Sequence, residues 1–168
     1  DRFGGVSGTI LNLRDITSQK EAEIKLQESE EKFRTLIENL NVGVYRNTGD
    51  PSGKFIHVNF ALIKIFGFDS IEEFMKISVS DTYQNPEERK KFVEKLKKNG
   101  FVKDEELKLK KRDGTPIWCS LSTTAKYDER GDIKWLDGVI EDITEKKKIQ
   151  EQLEKLNRSL QEKTIELQ

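Results

Sequence analysis

Residues 131–168 read GDIKWLDGVIEDITEKKKIQEQLEKLNRSLQEKTIELQ, and the same pattern occurs once before, at the start of the chain. Shifted back by 127 positions, Asp128, Gly131, Asp142, Ile143, Thr144, Lys147 and Leu153 fall on Asp1, Gly4, Asp15, Ile16, Thr17, Lys20 and Leu26. Each copy runs from a Gly-containing turn through an apolar strand to Asp-Ile-Thr. A charged segment follows, with apolar residues every three or four positions. The repeated unit is a joint at which a strand feeds a helix.

A Thr at the end of a strand is a good N-cap, because its hydroxyl can accept from an orphan amide of the first helical turn. Thr17 and Thr144 therefore mark the change from period-2 to period-3.6 patterning. Ala22, Leu26, Ser29, Phe33, Leu36 and Leu40 follow a four-three spacing, and Ile149, Leu153, Leu156, Leu160, Lys163 and Leu167 follow the same one. Both heptads hold one phase relative to their Asp-Ile-Thr. Parallel pairing of the second would bury Ile149, Leu153, Leu156 and Leu160, so a homodimer through flanking coiled-coil helices is expected.

The chain has 168 residues, enough for one moderate domain with appendages; it is 34% hydrophobic and 36% charged, which suits exposed helices beside a modest core. Thirty basic against thirty-one acidic residues leave no field for nucleic acid or an anionic membrane. Cys119 is the sole cysteine, so the composition suits a reducing, cytoplasmic setting. There is no apolar run of about eighteen residues to span a membrane and no signal peptide, although an anchor upstream remains open. Because residue 1 falls inside a repeat unit, the chain is expected to be part of a longer protein.

In order, residues 1–17 read as the last strand of a preceding domain, over about Gly4 to Arg14, and residues 18–40 as a linker helix. A folded unit over 41–144 follows. Val42 to Asn47 and Lys54 to Val58 form a hairpin around Gly49-Asp50-Pro51-Ser52-Gly53. Asn59 caps a short helix ended by Gly67. Capping boxes at Ser70 with Glu73, and at Asn85 with Glu88 behind Pro86, open two more helices. Three meandering strands, about 102–111, 116–127 and 133–143, complete an α+β fold: a five-stranded antiparallel sheet with short helices on one face. Residues 145–168 form a C-terminal coiled-coil signalling helix.

These residues carry a resemblance. Asn59, Phe66-Gly67-Phe68 with Glu72-Glu73, Asn85-Pro86-Glu87-Glu88-Arg89, Arg112-Asp113-Gly114-Thr115-Pro116-Ile117-Trp118, Gly131, Gly138 and Asp142-Ile143-Thr144 occur in the order and spacing of a PAS domain. About two-thirds of the chain resembles that family. Two units in tandem resemble the input side of a sensor histidine kinase. The resemblance implies binding and relay rather than catalysis, with Asp142, Ile143 and Thr144 as the signal-relay junction and Asp15 and Thr17 as its upstream copy. Capping alone also accounts for Asp142 and Thr144.

No cofactor is named by the residues. Flavin is disfavoured, since a flavin-photosensing relative carries its reactive Cys in a helical Asn-Cys-Arg context and Cys119 lies in a strand. Haem is disfavoured because the long helix has no His; the only one, His57, is in the second strand. One His and one Cys make no metal site. For a small-molecule ligand the candidates are His57, Tyr83, Trp118 and Trp135, which either line a cavity or plug it. The run from Arg89-Lys90-Lys91 to Lys97-Lys98 reads as a solvated helix face with i,i+4 pairs. There is no phosphate loop and no Ser-His-Asp arrangement, so no catalytic residue is assigned. Two main readings follow: a ligand-binding PAS sensor coupled to a histidine kinase, or a PAS relay and dimerisation module with a filled core. A cyclase-type output is the alternative partner for either.

Overall fold

The computed structural model describes the backbone of residues 4–39 and 41–166, and the side chains of 16–37, 39 and 41–163. The chain divides into two units, 1–40 and 41–168. The first is one helix, α1 (Gly4–Asn39). This corrects the expected strand over Gly4 to Arg14 and the expected helix start at Thr17. A strand needs a neighbour for its amides, whereas a helix satisfies them internally; every strand among the described residues lies between 43 and 142. Leu26, Phe33 and Leu36 are exposed on α1, while Leu40 lies outside the described residues.

The second unit contains β1 (Gly43–Asn47), β2 (Phe55–Val58), α2 (Phe60–Ile65), α3 (Ile71–Phe74), a 3-10 turn (Val79–Thr82), α4 (Pro86–Asn99), β3 (Phe101–Lys110), β4 (Pro116–Tyr127), β5 (Ile133–Asp142) and α5 (Thr144–Glu166). All strand pairs are antiparallel, in the order β2-β1-β5-β4-β3. Thus β5, last in sequence, sits at the centre between β1 and β4.

The local signals are met with small shifts. Asn59 Oδ1 accepts from the amides of Val44 (2.9 Å) and Leu62 (3.0 Å), and its Nδ2 donates to Val42 O (2.9 Å). One side chain therefore ties β1 to the start of α2. Ser70 Oγ accepts from Glu73 N and Asn85 Oδ1 from Glu87 N, while Gly100 ends α4 at φ 78°. A further capping box, Ser78 with Asp81, opens the 3-10 turn.

Strand alternation assigns the two faces of the sheet. Ile117, Cys119, Leu121, Thr123 and Ala125 of β4, with Leu136, Gly138 and Ile140 of β5, face the helices and are buried. Phe55, Phe66, Phe68 and Phe74 pack as an aromatic cluster, and α4 adds Phe92, Val93 and Leu96. Gly138 lies opposite both Tyr45 and Thr123, and the Tyr45 ring lies close over it, so that its hydroxyl bonds Thr123 Oγ1 at 2.6 Å. Any side chain at 138 would occupy the space of that ring.

Candidate functional site

A chamber of about 20 Å³ lies among Tyr45, Asn47, Phe55, Phe66, Val79, Thr82, Tyr83, Arg89, Leu109, Leu121 and Ile140. That is room for about one water, far below the several hundred Å³ that small-molecule sites occupy. An open hollow of about 470 Å³, lined among others by Phe68, Lys76, Lys110, Lys111 and Arg112, shares Phe66 and Thr82 with the chamber. Arg112 is already engaged there, by Glu73 at 2.5 Å and by the Phe68 ring at 5.5 Å.

Of the four expected ligand contacts, only Tyr83 borders the chamber. His57 is exposed, in a pair with Arg46 on β1. Trp118 and Trp135 alternate with inward residues and so stand on the opposite face of the sheet. Trp118 lies beneath the Nζ of Lys147 at 5.5 Å and of Lys108 at 6.0 Å. Trp135 is flanked by Arg46 and Lys134, each 4.5 Å from its ring, and Arg46 forms a bidentate pair with Asp137 at 2.6 and 2.9 Å. The two indoles are thus anchors for cations on the outer surface.

Beside Tyr83, the chamber's polar lining includes Tyr45, Asn47, Thr82 and Arg89, none of which was a candidate ligand contact from sequence. Arg89 is 1% exposed, which corrects its placement on a solvated face. It shares the buried side of α4 with Phe92, Val93 and Leu96, at the i, i+3, i+4 and i+7 spacing that could have revealed it. Its Nη2 donates to Thr48 O at 2.9 Å and Asn47 Oδ1 at 3.3 Å. Burial raises the phenol pKa of both Tyr45 and Tyr83, an effect that the nearby Arg89 charge opposes. Burial likewise pushes the Cys119 thiol up to about 12.

At its C-terminal end, β5 passes into α5 through a latch. Asp142 Oδ1 accepts from Thr144 N at 2.9 Å and from Thr144 Oγ1 at 2.5 Å. Thr144 Oγ1 in turn accepts from Trp118 N at 3.0 Å, and Ile143 N donates to Trp118 O at 2.8 Å. The helix-capping acceptor is therefore Asp142, and the Thr144 hydroxyl, expected to cap, instead reaches back to β4. Ile143 is buried beneath this turn. Lys147, one turn into α5, pairs with Glu106 of β3. Further along α5, Ile149, Leu153, Leu156 and Leu160 are 54–57% exposed. Upstream, Thr17 lies within α1, and the side chain of Asp15 lies outside the described residues.

An antiparallel sheet with its core packed on one face, and a long helix latched to the end of its central strand, defines a small α+β module. The chain belongs to the PAS domain family: the model of the PAS domain matches residues 41–145. Solved structures share the fold. A sensory box histidine kinase/response regulator from Burkholderia thailandensis E264 is 17% identical, with a TM-score of 0.59 over 78% of this chain and 98% of that one. An RNA-binding light-oxygen-voltage receptor is 20% identical, with a TM-score of 0.55 over 70% of this chain and 34% of that one. A light-oxygen-voltage domain studied with a flavin analogue is 16% identical, with a TM-score of 0.52 over 74% of this chain and 93% of that one. Among the described residues no helix is long and apolar enough to cross a membrane, and no three His, Cys, Asp or Glu side chains gather as metal ligands.

Proposed function

We propose that this PAS domain is a relay and dimerisation module that works with its core filled, passing a state from an upstream unit to an output domain through paired helices. The observation that carries the reading is the latch. Thr144 is bonded at once to β5 through Asp142 and to β4 through Trp118, so the first turn of α5 takes its orientation from the sheet. The chamber of about 20 Å³ favours relay over capture of a metabolite, flavin or haem. Exposed Ile149, Leu153, Leu156 and Leu160 form a heptad stripe that a second copy of α5 would cover, making a homodimer.

The output is proposed to be a histidine kinase, in keeping with the sensory box kinase among similar structures, and the protein is proposed to act in the cytoplasm. The module itself relays; no reacting group is assigned to it. Sedimentation equilibrium tests the reading. The chain should be a dimer at micromolar concentration, and Leu153→Asp with Leu160→Asp should make it a monomer of unchanged fold. A monomer before substitution refutes the pairing.

A further inference from the structure

The apolar stripe of α1 is bordered by sorted charge. Leu26, Phe33 and Leu36 are 53–65% exposed and, with Ala22 and Ser29, keep the four-three spacing of a coiled-coil seam. Glu23 and Glu30 follow Ala22 and Ser29 along one flank of that seam, and Lys25 and Lys32 precede Leu26 and Phe33 along the other. In heptad terms the charges at e are acidic and those at g are basic. All four side chains are exposed, and none forms an ion pair among the described residues. The flanks of α5 differ. Beside Ile149, Leu153, Leu156 and Leu160 stand Gln150, Gln152, Asn157 and Ser159, which carry no charge, while Glu151, Glu154, Lys155 and Arg158 fall on positions away from the seam.

We propose that α1 is the partner-selecting element of this chain: its seam pairs in parallel with α1 of a second copy, Lys25 of each facing Glu30 of the partner subunit. In a parallel pair a g residue faces the e residue of the following heptad on the other helix, which sets Lys25 against Glu30 twice by symmetry. In an antiparallel pair like flanks meet, so Lys would face Lys and Glu would face Glu. That repulsion excludes the wrong orientation as firmly as the attraction favours the right one. The uncharged flanks of α5 offer nothing to α1 and nothing that distinguishes one α5 from another helix of similar seam. Adhesion therefore comes from α5 and choice of partner from α1. With Ala22 and Ser29 in place of larger apolar residues, the α1 seam is too weak to hold two chains at micromolar concentration unaided, so its selection rests on the pairing proposed for α5.

Sedimentation equilibrium of the 168-residue chain at low salt gives the dimer Kd. Lys25→Glu and Glu30→Lys each turn two attractions into two repulsions and should weaken the dimer by about tenfold. An equimolar mixture of the two variants, in which opposite charges face each other again, should recover the parental Kd. Raising salt to about 500 mM should shrink all these differences. An antiparallel pair predicts the reverse for Lys25→Glu, which would then tighten the dimer. Ala22→Cys reads the orientation independently, with the buried Cys119 left in place. Mild oxidation should cross-link it, because parallel pairing brings the two introduced thiols within disulfide reach, whereas Ile24→Cys, on the opposite side of the helix, should stay monomeric on a denaturing gel. A dimeric parent whose Kd is unmoved or tightened by Lys25→Glu, or that gives no cross-link at position 22, overturns the role of α1 and leaves the pairing of α5 standing. A monomeric parent overturns both.

Discussion

Replacing Thr144 by Val keeps the shape of the side chain and removes its hydroxyl, which makes it a direct test of the latch. Two hydrogen bonds go: the one accepted from the half-buried strand at Trp118 N (3.0 Å) and the one donated to Asp142 (2.5 Å). Leaving a partly buried amide without an acceptor costs about 1–2 kcal/mol, and the exposed hydroxyl bond adds about 0.5 kcal/mol. For a domain of this size, a loss of about 2 kcal/mol lowers Tm by about 8 °C. Thr144→Ser, which keeps the hydroxyl, should recover most of it. Hydrogen exchange adds the location: amides of Trp118 and the first turn of α5 should exchange faster in the Val variant, while β1 and β2 change little. The proposed dimer should persist in this variant, because the stripe from Ile149 to Leu160 is untouched, while the proposed control of an output domain in the full protein should be lost. Equal Tm values for Thr144→Val and the parent, with unchanged exchange at Trp118, would refute the coupling of β4 to α5 through this hydroxyl.

Inserting one residue after Thr144 rotates the stripe by about 100° and should disrupt signalling, whereas inserting seven should be far milder; equal loss from both, read as output activity, would remove helix phase from the account. Gly138→Ala places a Cβ 2.5 Å from the Tyr45 hydroxyl and 2.9 Å from Thr123 Oγ1, so denaturant unfolding should show a loss of about 2 kcal/mol or more. Asp50 is held down to about 2 first by the Thr48 hydroxyl, then by Gly53 N and Ser52 Oγ. Its folded pKa is depressed, so its contribution is complete above the unfolded value near 4 and is lost as pH falls from about 4 to 2. Unfolding across that range should show Asp50→Asn losing less stability than the parent, a difference of about 1 kcal/mol after solvent screening. Cys119, fully buried with its thiol pushed up to about 12, should react with a disulfide reagent only as fast as the domain opens.

The elements with local signals were readable from residue types alone. Asn59, Ser70 and Asn85 each cap as their position demands, and Gly67 and Gly100 end helices at positive φ, because these depend only on neighbours in sequence. The errors came where the answer depends on partners. Gly4 to Arg14 has a strand's composition, but its conformation is decided by whether a neighbouring strand is present. Trp118 and Trp135 look like ligand contacts until the alternation of β4 and β5 is counted from Cys119 and Leu136, which puts both indoles outside. Arg89 was the deeper miss. Its neighbours Lys90 and Lys91 are exposed, and only the spacing to Phe92, Val93 and Leu96 shows that one cation in three turns inward.

The chamber and the latch share a strand, which would give the proposed relay a path. Leu121, on the inner face of β4, lines the Arg89 chamber; Trp118, three residues earlier on the same strand, bonds Ile143 and Thr144. Between them Cys119 pairs with Asp142, the acceptor of the latch. A change in core packing that moves β4 along its length therefore alters the Trp118 to Thr144 bond without any longer chain of contacts. Opening the core at Leu121 should accordingly be felt at α5. Leu121→Ala leaves a cavity and costs about 3 kcal/mol, but its diagnostic effect is local: faster exchange at Trp118 and Thr144 beyond that seen in Leu62→Ala, an equally buried change on α2. If the two alanine variants loosen the α5 junction equally, the effect is global destabilisation and β4 is not the carrier.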